Sequence, residues 1–432
     1  MIETVMTRDE FERATSKIVG DVLFIGVGFC GGALANEMQK RGYESFYINT
    51  AMGDFADLER VTEEMIFPIP KSKGCDKDQD KALQFIAPYV GDILTHVEEN
   101  YAKYKHFIFL AGAGGGTGGG TVSALAQYFH SKGKKTSVVG ILPSKDESKK
   151  SIDNAIRFMQ RVNDGCGEIS SILYLDNGTV EDKRDINLAL AEQLDFLLSL
   201  SEYTVVTTHT NMKSTDAPEN LGLLGVAGYV HIEKVLTTDK EVAVGTSVNK
   251  ENKVPVPRAV NKRTEKDGTY ALEPFKYGVE SSTFTREEFF VAVSLSSTLY
   301  PEDGGAVEFD PTPIINKYGK PSSDIKLGYN ASENTYVYVF GLEPTQDLID
   351  RYSVYYDEIE IIEQKRAQNR VKLEFAERNT PIKPVATKEK SVADIFGKAI
   401  IPKPLAQKSK NDLFNKSKND LFKKSNPFPV KK

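Results

Sequence analysis

The 432-residue chain carries 61 Asp+Glu against 55 Lys+Arg, a formal charge of −6, with 40% hydrophobic residues, five histidines and three cysteines. That length has room for two domains with ample core. Neither a zinc site nor a disulfide framework is indicated, since Cys30, Cys75 and Cys166 lack Cys-x-x-Cys spacing and the histidines stand singly; no apolar run approaches the roughly 18 residues of a membrane span.

In chain order, residues 7–18 read as an amphipathic lead-in helix. Acids at Glu3, Asp9, Glu10 and Glu12 break the basic–apolar order of a signal peptide, so a cytoplasmic protein is expected. Asp21 to Met38 reads as a buried strand, a glycine turn and an amphipathic helix. Gly26, Gly28 and Gly31 satisfy the G-x-G-x-x-G spacing of dinucleotide folds, a weak signal alone. An NAD enzyme should end its next strand in an acid that holds the ribose. Here Ser45-Phe-Tyr-Ile runs into Asn49-Thr50 instead.

The most informative stretch is Phe107–Thr121, an apolar strand running into seven glycines, with a helix expected from Val122. Glycine lets backbone N–H groups turn toward a ligand. A helix N-terminus adds partial positive charge, so the run Gly112, Gly114, Gly115, Gly116, Thr117, Gly118, Gly119 reads as a phosphate cradle. A flexible linker is the bland alternative, but linkers are not wedged between a buried strand and an amphipathic helix. No Gly-Lys-Ser/Thr follows, which excludes a Walker A loop.

Further strands are expected at 136–142, 171–175 and 204–208. With those at 20–26, 44–48 and 106–111 they alternate with helices, predicting an α/β fold with a doubly wound parallel sheet. Ile186–Leu200 reads as a central helix leading to a smaller α+β second domain. Residues 248–276 are polar, with Pro255 and Pro257, and read as a loop or mobile hairpin. Residues 343–378 form one long helical segment. The expected domains are thus 1–205, 206–342, the C-terminal helix 343–378, and a disordered tail, 379–432.

That tail holds 13 Lys and no Arg against 4 Asp/Glu, or +9, leaving −15 on the remainder. Related motifs recur at 390–396, 408–414 and 416–422, the last two identical as Lys-Ser-Lys-Asn-Asp-Leu-Phe. Each sets an apolar pair beside lysines, suited to a protein groove and to weak direct contact with DNA phosphate; repetition raises avidity. A solubilising tail duplicated by slippage stands as the alternative.

The run Gly112–Thr121 resembles the glycine loop of the tubulin/FtsZ superfamily, and the Asn49-Thr50 pair fits the same pattern. The loop Pro143-Ser-Lys-Asp-Glu147-Ser-Lys-Lys and the strand ending in Asp176-Asn177 are similar to it as well. The long C-terminal helix resembles the plasmid- and phage-encoded TubZ branch. The resemblance implies a filament-forming GTPase that takes GTP/GDP with Mg²⁺. It sets the nucleotide on Gly26, Gly28, Phe29, Cys30, Gly31, Gly32, Asn49 and the second glycine loop. Glu147 is then expected at the ribose, Asn177 and Asn187 at guanine, and Gly74 in a loop sensing the γ-phosphate. Lys183 stands where the family has a base-stacking aromatic.

Asp216 and Glu219, in Asp-Ala-Pro-Glu, resemble the family's catalytic acids, which reach across a head-to-tail contact into the neighbour's site. The same residues read equally as a helix N-cap and first turn. The resemblance further implies plasmid or DNA segregation through a DNA-bound adaptor held by the tail. Two other readings stay open: an NAD- or FAD-dependent oxidoreductase built on Gly26–Gly31, and a nucleotide-binding structural protein that has lost hydrolysis.

Overall fold

Parallel strands covered on both faces read as unbroken apolar runs. The runs found in the sequence become the centre of one sheet in the computed structural model, which describes residues 21–179, 183–199, 226–236, 270–279, 288–296, 311–322, 325–330, 332–343 and 346–379. The first half of the chain supplies β1 (Val22–Val27), α1 (Gly28–Lys40), β2 (Glu44–Asn49), β3 (Ile66–Pro68), α2 (Gln79–Ile86), α3 (Val90–Asn100), β4 (His106–Gly112), α4 (Thr117–Ser131), β5 (Lys135–Leu142), α5 (Lys149–Asp164) and β6 (Ser171–Asp176). After α6 (Lys183–Ser199) come β7 (Gly228–Leu236), β8 (Ala271–Pro274), β9 (Phe290–Ser296), α7 (Thr312–Tyr318), β10 (Lys326–Asn330), β11 (Tyr336–Leu342) and α8 (Gln346–Asn379).

The strands line up as β3-β2-β1-β4-β5-β6-β7-β11-β9-β10, with β8 on β7. From β3 to β7 every pairing is parallel. β11 then runs antiparallel to both β7 and β9. The chain leaves β1 toward β2 and β3, then returns to lay β4 on the other side of β1. That reversal is a topological switch point, where open α/β sheets bind ligands beyond the carboxyl ends of their strands.

Successive side chains of each strand point to opposite faces. Phe24, Ile108 and Leu110 join Leu34 and Met38 of α1 and Leu190 of α6 in one apolar cluster. Phe107 and Phe109 point the other way and meet Phe129 of α4 edge-on, with centroids 5.8 and 5.3 Å apart. Each such fully buried side chain stabilises the fold by about 1.5–3 kcal/mol.

The expected central helix is α6, three residues earlier at its start. Its Asp195 accepts from the Tyr43 hydroxyl at 2.7 Å, and Gln193 Oε1 from Tyr338 of β11 at 2.8 Å. One helix thereby ties the β1–β2 region to β11. The long C-terminal helix also forms. Its Leu348, Ile349 and Tyr352 are buried, and the Tyr352 hydroxyl donates to Pro143 O at 2.9 Å. The chain divides into units Met1–Asp357 and Glu358–Lys432, so those first turns belong with the body.

Two expectations change. The helix placed from Val122 begins at Thr117, because Gly118, Gly119 and Gly120 form its first turn. And within 248–276, expected as a loop or mobile hairpin, residues 271–274 pair with β7 as a strand. The lead-in helix at 7–18, the strand at 204–208, the 205/206 domain boundary, the catalytic loop with Asp216 and Glu219, and the tail repeats lie outside the described residues.

Candidate nucleotide-binding site

At the switch point the turn after β1 meets the turn after β4, and the two interlock. Gly28 has φ of +73°, a left-handed conformation that glycine adopts without strain. A Cβ on Gly118 would lie 2.5 Å from Val27 O, so backbone packs directly on backbone. Likewise a Cβ on Gly31 would sit 2.0 Å from Leu110 O, and one on Gly119 would sit 2.4 Å from Ala113 O. These glycines hold two helices against the neighbouring backbone.

The result is a cleft of about 230 Å³. Its floor is Gly28, Phe29, Gly112, Gly115, Gly116, Thr117 and Gly118, and one wall carries Asn49, Thr50, Asp54 and Gly74 to Lys77. Helices α1 and α4 both open toward it with no side-chain cap and no acid in the first turn. Helix ends that lack caps leave N–H donors and positive partial charge for an anion.

The walls are braced by polar side chains. The Thr50 and Thr117 hydroxyls meet at 2.7 Å. Asn49 donates to Asp54 at 2.8 Å. Gln79, fully buried, donates to Ala113 O at 3.2 Å and accepts from Arg161 at 2.8 Å. Asn154 donates to Lys77 O at 2.8 Å and Gly114 O at 3.1 Å. Among the described residues, Lys77 is the cation that lines the cleft, and its Nζ donates to Ser151 at 2.7 Å. Its loop holds Lys71, Gly74, Asp76 and Lys77 at positive φ, three of them non-glycine, a concentration of strain found at functional sites.

Beside the cleft, the loop after β5 carries Glu147, and Asn177 directly follows β6. Glu147 Oε1 accepts from Lys183 at 2.7 Å and from Asn177 Nδ2 at 3.3 Å. Burial opposes ionisation of Glu147, but the Lys183 hydrogen bond and charge outweigh it and hold the carboxyl below its usual range. Burial pushes the Cys30 thiol up to about 11, Lys183 opposing and Glu147 adding, so Cys30 is no nucleophile at neutral pH. Asn187 lies half-buried on α6, one turn beyond Lys183.

Of the predicted residues, Gly28, Phe29, Asn49, Gly74, Gly112, Gly115, Gly116, Thr117 and Gly118 line the cleft. Gly26, Gly31, Gly32, Gly114 and Gly119 lie behind it: Gly26 faces Gly31 and Ala35, Gly32 faces Leu58 and Tyr47, and Gly114 faces Pro143 and Ser151. Sequence reading missed Asp54, Lys77, Gln79 and Asn154. They sit in no glycine pattern, and their hydrogen bonds span up to 82 residues of chain.

Among the described residues no cluster of three or more His, Cys, Asp or Glu could hold a metal ion alone. Asp54 and Asp76 are the two carboxylates on the cleft wall. That donor set fits Mg²⁺, which keeps several waters and takes one or two carboxylates together with substrate phosphates.

Residues 21–182, from β1 through Asn177, match the model of the Tubulin/FtsZ family, GTPase domain. This segment is a tubulin/FtsZ-type GTPase domain. The chain is 27% identical over 374 residues to the tubulin-like protein TubZ of a Clostridium botulinum C phage, covering 84% of this chain and 89% of that one. The solved structure of Clostridium botulinum phage c-st TubZ with its C-terminal tail truncated superposes with a TM-score of 0.60 at 22% identity, covering 79% of this chain and 99% of that one. A GTPγS-form protofilament of Bacillus thuringiensis serovar israelensis TubZ gives 0.60 at 17% identity, covering 85% and 100%. At such identities the structural likeness is one of fold. Among the described residues no helix is long and apolar enough to cross a membrane.

Proposed function

We propose that this protein is a filament-forming GTPase whose hydrolysis is completed at a head-to-tail subunit contact. The observation that carries the reading is the cleft at the β1/β4 switch point, onto which two uncapped helix N-termini open. The N–H groups at the starts of α1 and α4 take the phosphates of GTP, and Lys77 adds the positive charge that a Walker lysine supplies elsewhere. Glu147 holds the ribose, and Asn177 and Asn187 read guanine. A bound Mg²⁺ would neutralise phosphate charge, with Asp54 and Asp76 the carboxylates on the cleft wall.

Asp216 and Glu219 of the next subunit then orient and activate the attacking water. Such a contact is heterologous and does not close, hence a filament. GTP loss removes contacts that favour it. The TubZ relatives solved as protofilaments support self-assembly. The tail repeats at 390–396, 408–414 and 416–422 couple the filament to a DNA-bound adaptor, so that plasmid DNA is moved or segregated.

GTP turnover per molecule, measured across protein concentrations with NADH binding alongside, tests this. Turnover should rise sharply above a threshold concentration. Turnover independent of concentration would remove the shared site. GTP binding without turnover at any concentration would favour a structural protein that has lost hydrolysis. Tight NADH binding without turnover would favour the oxidoreductase.

A further inference from the structure

Asn177 is 8% exposed, and its carboxamide oxygen is buried with no hydrogen-bond partner among the described residues. Buried acceptors are rarely left unmet, because nothing replaces the water they gave up. Its nitrogen is spent on Glu147 Oε1, which also takes Lys183 Nζ. A carboxylate only accepts, so this contact fixes which way the carboxamide points: nitrogen to Glu147, oxygen away from it. Glu147 and Lys183 both act electrostatically on Cys30 in the first turn of α1, so the group adjoins the phosphate cleft.

We propose that Glu147 and Lys183 are positioning residues for base selection, locking Asn177 with its oxygen toward the ligand so that the site takes a purine presenting N–H donors. This rests on the nucleotide reading above and assigns Glu147 a role besides the ribose. Guanine offers N1–H and an exocyclic 2-amine on adjacent atoms. Adenine offers an unprotonated N1 there, and opposed acceptors repel. A carboxamide free to rotate would present its NH₂ instead and accept adenine. Lys183, which stands in place of an aromatic, pairs with Glu147 and keeps it a carboxylate.

Titration of the full chain with GDP, IDP and ADP isolates the base, since the phosphates are constant and none turns over. The unaltered protein should prefer GDP to ADP by about a hundredfold, with IDP, which keeps N1–H but lacks the 2-amine, between them. In Glu147→Gln the new NH₂ can donate to Asn177, letting it rotate, and the GDP/ADP ratio should fall at least tenfold. In Lys183→Met the ratio should hold near neutral pH, but GDP affinity should decline at a higher pH than in the unaltered protein, because Glu147 loses the cation that favours its charged form. An equal fall for GDP and ADP in Glu147→Gln, or an unmoved pH profile in Lys183→Met, would overturn the inference and leave the nucleotide reading standing. No GDP binding by the unaltered protein would sink both.

Discussion

The hydroxyls of Thr50 and Thr117 lie 2.7 Å apart and join the end of β2 to the first residue of α4, 67 positions later. Both residues are buried, and their remaining neighbour is Cys75, whose Sγ is 3.3 Å from Thr117 Oγ1 and 3.8 Å from Thr50 Oγ1. Thr117→Val keeps the shape and removes the partner, so Thr50 is left near a weak acceptor alone. The variant should lose about 1–3 kcal/mol in urea unfolding. Thr50→Val/Thr117→Val should cost less than the two single changes summed, since no orphan remains. A strictly additive double-mutant cycle would mean the hydroxyls do not sustain each other.

Interlocked backbone makes a second prediction. Gly118→Ala brings a methyl within 2.5 Å of Val27 O and 3.0 Å of Ala111 Cβ, and neither neighbour is the free end of a side chain. It should destabilise by about 3 kcal/mol and abolish nucleotide binding. Gly133→Ala is the control: φ there is +78° but the space is open, so strain alone should cost about 1 kcal/mol with binding intact. Equal losses at both positions would mean that close approach at 118 costs no more than backbone strain at 133.

His106, at the start of β4, has Nε2 2.7 Å from Ser137 Oγ, while burial first and Lys135 second push its pKa down to about 4. The folded state therefore keeps the ring neutral, and between about 6.5 and 4 the unfolded chain binds the extra proton. This residue's contribution is complete above the unfolded value and is lost as pH falls through that window. The loss amounts to about 3 kcal/mol at most. Unfolding midpoints of His106→Gln should fall less between pH 6.5 and 4 than those of the unaltered protein. Parallel curves would assign the acid sensitivity elsewhere.

What was legible in the sequence follows from range. β1, β4 and β5 are buried on both faces, so their apolar runs stand out within six to eight residues. Gly28 and Gly112–Thr117 were readable because a phosphate turn is local. The start of α4 was not: Gly118, Gly119 and Gly120 are poor helix formers by propensity, and only the backbone of Val27, Ala113 and Gln79, brought in by tertiary packing, explains them inside a helix. Lys77 escaped for a related reason. Its loop has no glycine pattern after Gly74, and what makes Lys77 part of the cleft is contact with Ser151 and Asn154, 74 and 77 residues further on.

The acids Asp216 and Glu219 carry the sharpest test of a shared site. If they act on the neighbour's nucleotide, Asp216→Asn and Glu219→Gln should bind GTP as the unaltered protein does, because neither reaches its own subunit's cleft. Turnover should fall by about 10²–10⁴-fold, the usual worth of a positioned proton acceptor. Filaments should form and persist, since the event that weakens the contact is slowed. Mixing decides the matter further. A variant with an intact acid loop but a ruined cleft, such as Gly118→Ala if it remains folded, should restore turnover to Asp216→Asn when the two copolymerise, since each supplies what the other lacks. Turnover unchanged in both acid variants would reduce Asp216 and Glu219 to helix capping. Loss of GTP binding in them would place the acids in the cleft of their own subunit.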